Sequence, residues 1–290
     1  MMNGRTDVRK TYKLYIDGAF PRGESGRTYA ITDAKGRFIA NASLASRKDV
    51  RNAVSAACAA QPEWWQSTAV DRGRVLFSIS DLLEQRRASF EDELGKAEGL
   101  PGRKAASAVD AAIDRWVWYA GWSDKIAQVL GSINPVAGPY LNVSLPEPVG
   151  VVAAIAPQRS SLLGLVSVVA PIIVGGNACV VVASQDRPLP AIALAEVLAT
   201  SDLPGGVVNI LTGRPTEIGP WLASHLDVQG LDLTGVDDDA LATEMQVSAA
   251  VNVKRVLNPP KREPDWTEDP GLGRIRHFVD TTTVWYPTGA

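Results

Sequence analysis

Glu147-Pro-Val-Gly-Val-Val-Ala-Ala-Ile-Ala-Pro157-Gln-Arg-Ser-Ser-Leu-Leu163 is the stretch that decides the fold. Residues 149–156 form a short apolar run of Val, Ala and Ile held between Pro148 and Pro157, which is how a strand buried on both faces of a parallel sheet reads. A second apolar run at 162–174 is long enough for a helix and stops at Gly175-Gly176, a helix-end signal. Residues 177–183 again read as a buried strand, 188–200 have helical spacing, and 206–211 give a third strand. Alternating strands and helices of this kind predict a doubly wound α/β unit with a parallel, Rossmann-like sheet.

Working outward, residues 12–20 alternate around Asp17-Gly18 and 29–41 around Lys35-Gly36, two hairpin signals. Ser46 is placed to cap a helix over 46–60. Further helices are expected over 70–85, 88–99 and 103–129, making an N-terminal helical layer. The last of these carries Trp116, Trp118, Tyr119 and Trp122, aromatics read as core packing. An extended arm at 139–147 leads into the sheet. Beyond it, a helix at 216–224, a strand at 230–233, a helix at 237–246 opening on three aspartates, and a strand at 251–257 complete the α/β region. Residues 258–274, with Pro259, Pro260, Pro264 and Pro270, read as a proline-rich linker. Residues 275–286 read as a terminal strand rich in Thr and Val. Residues 1–11 are polar and expected to be flexible.

The 290 residues are 46% hydrophobic and 21% charged, ordinary values for a globular protein, and the net charge of -3 argues against nucleic acid as a partner. Two cysteines cannot build a disulfide framework. Cys58 lies among alanines and Cys179 inside a buried-strand run, so both are expected as free thiols in a reducing cytoplasm. No signal peptide and no membrane-spanning run is expected, and no residue cluster predicts a metal site.

The motifs Glu147-Pro-Val-Gly-Val-Val152, Gly175-Gly-Asn177, Leu203-Pro-Gly-Gly-Val-Val-Asn-Ile-Leu-Thr-Gly213 and Leu233-Thr-Gly235 resemble, in order and spacing, the nucleotide-binding half of the aldehyde dehydrogenases. The resemblance runs from about Lys13 to Arg255 and resumes near the C-terminus. The chain is also similar to the inactive second half of two-copy aldehyde dehydrogenases. The resemblance implies one nucleotide-binding-like domain over 12–257 and an oligomerisation tail strand at 275–290. It also implies a small oligomerisation sheet to which 12–20 and 132–145 contribute.

For the chemistry, the resemblance implies a thiolate nucleophile from a second α/β domain, which should follow the strand at 251–257. Here that domain is absent: Arg255 leads through the linker to the tail. The glutamate that activates water in the family has no counterpart after Lys254-Arg255-Val256, and Glu263 reads as a solvated linker charge. Arg159 takes the position of the asparagine that holds the developing oxyanion, and loss of such a donor costs roughly a hundredfold or more in rate.

The cofactor-contact positions implied by the resemblance are Ile155, Ala156, Pro157, Val182, Ser184, Gln185, Gly213, Thr234, Gly235 and Val236, and several are degenerate. Val182 and Gln185 replace a lysine and a glutamate that hold the adenosine ribose. The turn facing the pyrophosphate becomes Gly235-Val236, followed by Asp237, Asp238 and Asp239, which can cap the following helix themselves and repel phosphate.

These positions predict no catalytic residue and no bound cofactor, with weak NAD(P) binding as the most that survives. The reading is a non-catalytic homologue acting as a structural or regulatory subunit. The alternative is an NAD(P)-dependent aldehyde oxidoreductase completed by a partner subunit's catalytic domain. The expected partners are a second copy of the chain and, in a hetero-complex, a full-length aldehyde dehydrogenase.

Overall fold

A computed structural model describes residues 10–289. The flexible segment expected over 1–11 therefore falls, except for its last two residues, outside the described residues.

The strands are β1 (Thr11–Tyr12), β2 (Thr28–Thr32), β3 (Phe38–Ser43), β4 (Ser132–Asn134), β5 (Tyr140–Pro148), β6 (Val151–Ile155), β7 (Ala178–Val182), β8 (Val208–Leu211), β9 (Gly230–Asp232), β10 (Arg255–Leu257) and β11 (Val279–Pro287). The helices are α1 (Arg47–Gln66), α2 (Ala69–Gln85), α3 (Arg87–Ala97), α4 (Gly102–Trp122), α5 (Ile126–Leu130), α6 (Leu163–Val174), α7 (Leu189–Leu198), α8 (Pro215–Ser224), α9 (Asp239–Ala250) and α10 (Gly273–His277).

The central sheet has five strands in the order β10-β9-β6-β7-β8, with every neighbouring pair parallel. Period-2 alternation sorts its side chains between two layers. Val152, Ala154, Cys179 and Val181 join the core built with α6, α7 and the aromatic helices α2, α3 and α4. Val151, Ala153, Ile155, Ala178, Val180 and Val182 join the opposite core with α1, α8 and α9. Every residue of β6 and β7 is buried. Full burial of one Val or Ile side chain contributes about 1.5–3 kcal/mol, which is why these strands read as uninterrupted apolar runs. Trp116 and Tyr119 are buried in the first core, so the aromatics at these positions are packing residues.

β6 starts the sheet, β7 and β8 extend it to one side, and β9 and β10 extend it to the other. The topological switch point therefore lies between β6 and β9, and the crevice that such sheets use for ligands sits at the carboxyl ends of those two strands.

α1 begins with a capping box. Ser46 accepts from the Asp49 N–H, and Asp49 in turn accepts from the Ser46 N–H at 2.8 Å. The Asp49 carboxylate also accepts from the Glu24 N–H at 3.1 and 3.2 Å, so one buried carboxylate joins an N-terminal loop to the helix start.

Three expectations are corrected. First, residues 12–20 do not belong to the sheet formed by the arm and the tail. Asp17 and Gly18 do turn the chain, with φ of 54° and 72°, and Ile16 and Ala19 exchange backbone hydrogen bonds. Tyr15, however, pairs antiparallel with Ile210 on the outer edge of β8, and β1 pairs with β3 in a separate sheet of order β1-β3-β2. The turn was legible because it is local; the partner strand is set by Leu14 and Tyr15, which sink into the cores.

Second, 258–274, although mostly exposed, is not a free linker. Trp266 is buried, and Arg115 Nη2 donates to the carbonyls of Trp266 and Glu268 at 2.5 and 2.9 Å. Third, the terminal strand starts later than 275. Ile275 and Phe278, three residues apart, are both buried in the first core, and that spacing makes 273–277 a helical turn before β11. β11 then pairs antiparallel with β5 from Val279↔Pro148 to Pro287↔Tyr140, with β4 on the far side of β5.

Asp49→Ala leaves the N–H groups of Glu24 and Ser46 without their charged acceptor. It is expected to lower unfolding stability by about 2 kcal/mol, read as a fall in the urea midpoint at unchanged slope.

Candidate functional site

The positions singled out from the sequence converge on the carboxyl ends of the central strands. Ile155, Ala156 and Pro157 close β6; Val182, Ser184 and Gln185 close β7; Gly213 follows β8; Thr234, Gly235 and Val236 follow β9. They come together, yet most of their polar groups are turned on one another.

Gln158 joins the first two loops. Its Nε2 donates to the Ala156 carbonyl at 2.7 Å, its Oε1 accepts from the Gln185 N–H at 2.9 Å, and its own carbonyl accepts from Ser184 Oγ at 2.9 Å. Arg159 is exposed, and its carbonyl accepts from Arg187 Nη1 at 2.7 Å. Val182 is fully buried among the side chains of the α1–α8–α9 core, so a methyl-bearing residue there serves packing. Gly235 donates its N–H to the Ile155 carbonyl at 3.0 Å, and a Cβ at this position would collide with the Ala156 carbonyl. The loop after β9 is thus pressed onto the end of β6 at the switch point.

The start of α9 is self-capped. The Asp238 carboxylate accepts from the N–H groups of Ala240 and Leu241 at 2.8 and 3.3 Å, while Asp237 and Asp239 are exposed beside it. Two N–H groups of the first turn of α9 are thus satisfied within the chain, and the surrounding charge is negative.

Two groups from the C-terminal segment reach the same strand ends. Arg274 Nη1 meets the Asp232 carboxylate at 2.5 Å, and its Nη2 donates to Thr234 Oγ1 at 2.9 Å. Thr234 Oγ1 in turn hydrogen-bonds the other oxygen of Asp232. Asp232 is wholly buried at the end of β9, whereas Arg274 keeps part of its side chain at the surface. Glu263 Oε1 accepts from the Ser160 N–H at 3.1 Å and from Trp266 Nε1 at 3.0 Å, fastening 263–266 to the loop after β6. This corrects the reading of Glu263 as a solvated charge. On the other side of that loop, Glu98 accepts from both the N–H and the hydroxyl of Ser161.

Sequence reasoning missed Asp232, Arg274, Gln158 and Glu98. Asp232 did leave a signal: a carboxylate inside a short buried strand needs a cationic or hydrogen-bonding partner. Which residue supplies that partner was not legible, because Arg274 is distant in sequence and lies in a stretch that reads as linker.

Neither thiol is placed for attack. Cys179 is fully buried in β7, and burial pushes its pKa far above the ordinary thiol range. Cys58 sits in α1 on the other face of the sheet, its pKa raised by burial and by the Asp227 carboxylate. Both effects suppress the thiolate. Among the described residues no group of three His, Cys, Asp or Glu side chains is arranged to hold a metal, and no helix is long and apolar enough to cross a membrane.

Residues 20–258 match the model of the aldehyde dehydrogenase family. This chain belongs to that family. It is 35% identical over 268 residues to cytosolic 10-formyltetrahydrofolate dehydrogenase of Pongo abelii, a match covering 88% of this chain and 29% of that protein. Among solved structures it resembles an NAD+ complex of aldehyde dehydrogenase from Bacillus cereus, with a TM-score of 0.80 and 25% identity, over 85% of this chain and 50% of that one. PnpE from Pseudomonas sp. WBC-3 gives a TM-score of 0.80 at 30% identity, over 86% of this chain and 50% of that one. The chain thus spans about half the length of these solved structures and under a third of that relative. Within it, β10 passes to β11 through 258–278 with no second α/β domain between them.

Removing one partner of a buried ion pair strands the other. Arg274→Met is expected to cost about 3–5 kcal/mol of unfolding free energy, and the double change with Asp232→Leu to recover most of it. Urea unfolding of the two single variants and the double variant reads this coupling directly.

Proposed function

We propose that this chain is a non-catalytic member of the aldehyde dehydrogenase family that acts as a structural or regulatory subunit. One observation carries the proposal. The carboxyl-end crevice, where a doubly wound sheet takes its ligand, is occupied by the chain's own groups: Arg274 on Asp232 and Thr234, Gln158 across the first two loops, and Asp238 on the α9 terminus. A dinucleotide would have to displace all three, and the third is a carboxylate flanked by two more. No thiol faces this crevice, so aldehyde addition has no nucleophile from the described residues.

Calorimetry with NAD+ and NADP+ separates this reading from that of an oxidoreductase completed by another subunit. The subunit reading expects no micromolar binding in the carboxyl-end crevice and no NADH formation from an aldehyde panel. A low-micromolar dissociation constant that survives Arg47→Ala with Arg51→Ala, two changes remote from the crevice, would overturn it. Val182→Lys is not expected to restore binding, because position 182 faces the packed core; the change is expected to destabilise the fold.

The subunit reading also needs a docking surface. In the sheet of order β11-β5-β4, the pairs Leu141↔Tyr286, Val143↔Val284 and Ile133↔Val143 place five apolar side chains on one face, joined by Leu145 from the same strand alternation. Ile133, Leu141, Leu145 and Tyr286 are exposed, and β4 and β11 offer unpaired backbone edges. This face is proposed to pair with a second copy of the chain, or with a full-length aldehyde dehydrogenase. Leu141→Asp with Tyr286→Asp is expected to convert a dimer to a monomer in sedimentation velocity while leaving the melting temperature of the fold nearly unchanged. A wild-type chain that sediments as a monomer at micromolar concentration, and captures no aldehyde dehydrogenase, would refute the docking role. Deleting 275–289 is a poorer test, since Ile275 and Phe278 are core residues.

A further inference from the structure

A cavity of about 650 Å³ opens between α1 and α8, on the face of the sheet away from α6, and its lining includes Glu24, Arg47, Lys48, Arg51, Trp221 and His225. Arg47 and Arg51 stand four residues apart in α1, so their guanidinium groups project from the same side of the helix. Lys48 meets Glu24 at 3.3 Å, whereas among the described residues neither Arg47 nor Arg51 enters an ion pair. Asp49, the other carboxylate of this turn, is buried and directs its oxygens to the N–H groups of Ser46 and Glu24. Three cations thus face one carboxylate in a chain whose net charge is -3. Trp221, half-buried, packs its body on the core and contributes to the cavity wall.

We infer that this groove binds a nucleoside phosphate, with the base against the Trp221 indole and the phosphates between Arg47 and Arg51. The volume lies within the roughly 300–1,000 Å³ of small-molecule sites. An indole offers a flat apolar surface for a base, and guanidinium forks match phosphate oxygens in paired hydrogen bonds. An apolar ligand would desolvate two guanidinium groups without compensation, and an anion lacking a ring would leave the indole unused. The site is lined by α1 and α8 and shares no residue with the carboxyl-end crevice, so it does not depend on the subunit reading.

The test is calorimetry of the full chain with ADP, adenosine and pyrophosphate at low and at high salt. The expected result is binding of ADP that weakens with salt, with pyrophosphate weaker and adenosine weakest. Arg47→Ala with Arg51→Ala is expected to reduce ADP affinity roughly tenfold or more, and Trp221→Leu to reduce ADP affinity while leaving pyrophosphate unchanged. Thermal melts matching wild type establish that the variants are folded, and Arg47→Lys with Arg51→Lys, which keeps the charge, should retain part of the affinity. No ADP binding at millimolar ligand, or binding unchanged in the arginine double variant, overturns the proposal. Pyrophosphate binding as tightly as ADP overturns the role given to Trp221.

Discussion

A parallel sheet buried on both faces has a demanding requirement: each face, and the carboxyl-end rim where the loops gather, must be covered by other parts of the molecule. Here α6, α7 and the α2–α4 layer cover one face, and α1, α8 and α9 cover the other. The rim is the harder problem. Strand ends carry carbonyls and loop amides that need partners, and an unpaired buried group costs about 1–3 kcal/mol. In this chain residues 258–278 take up that task. Glu263 receives Ser160, Arg115 holds the backbone of Trp266 and Glu268, and Arg274 neutralises Asp232.

That requirement explains why the stretch that reads as linker, though mostly exposed, is pinned to the fold at Glu263, Trp266 and Arg274. Proline-rich, charged sequence signals an absence of regular structure, and 258–272 indeed contains no helix or strand. Irregular backbone is still able to pack when side chains supply the hydrogen bonds that secondary structure would have supplied. Trp266 is the residue whose type hinted at this, since a large aromatic in a polar segment gains most by burial. Periodicity could not reveal the hint, because one aromatic has no period.

The rest of the fold was legible where the determinants are local. The apolar runs of β6 and β7, the Gly175-Gly176 stop, the Asp17-Gly18 turn and the Ser46 cap are each set by residues within a few positions of one another. Non-local pairing was not legible. The strand around Tyr15 could complete either small sheet on its pattern alone, and burial of Leu14 and Tyr15 between the main cores decides for the edge of β8. The candidate site shows the same division. Self-capping of α9 was readable from Asp237-Asp238-Asp239, a cluster within one turn. The link between Gln158 and Gln185 spans a whole βα unit and had no sequence signature.

The buried ion pair also sets a direction of dependence between tail and sheet. Asp232 alone at the end of β9 would be an uncompensated buried charge, so β9 in its present form requires Arg274 to be in place. Arg274 is positioned by α10, whose Ile275 is fully buried in the same core as α6. β11 follows Phe278 directly and continues antiparallel along β5. The surface offered by β4, β5 and β11 is therefore tied, through α10 and a single arginine, to the carboxyl end of the central sheet. Separating Arg274 from Asp232 would leave a buried carboxylate without its cation and remove one of the contacts that hold α10, and with it the start of β11, against the central sheet.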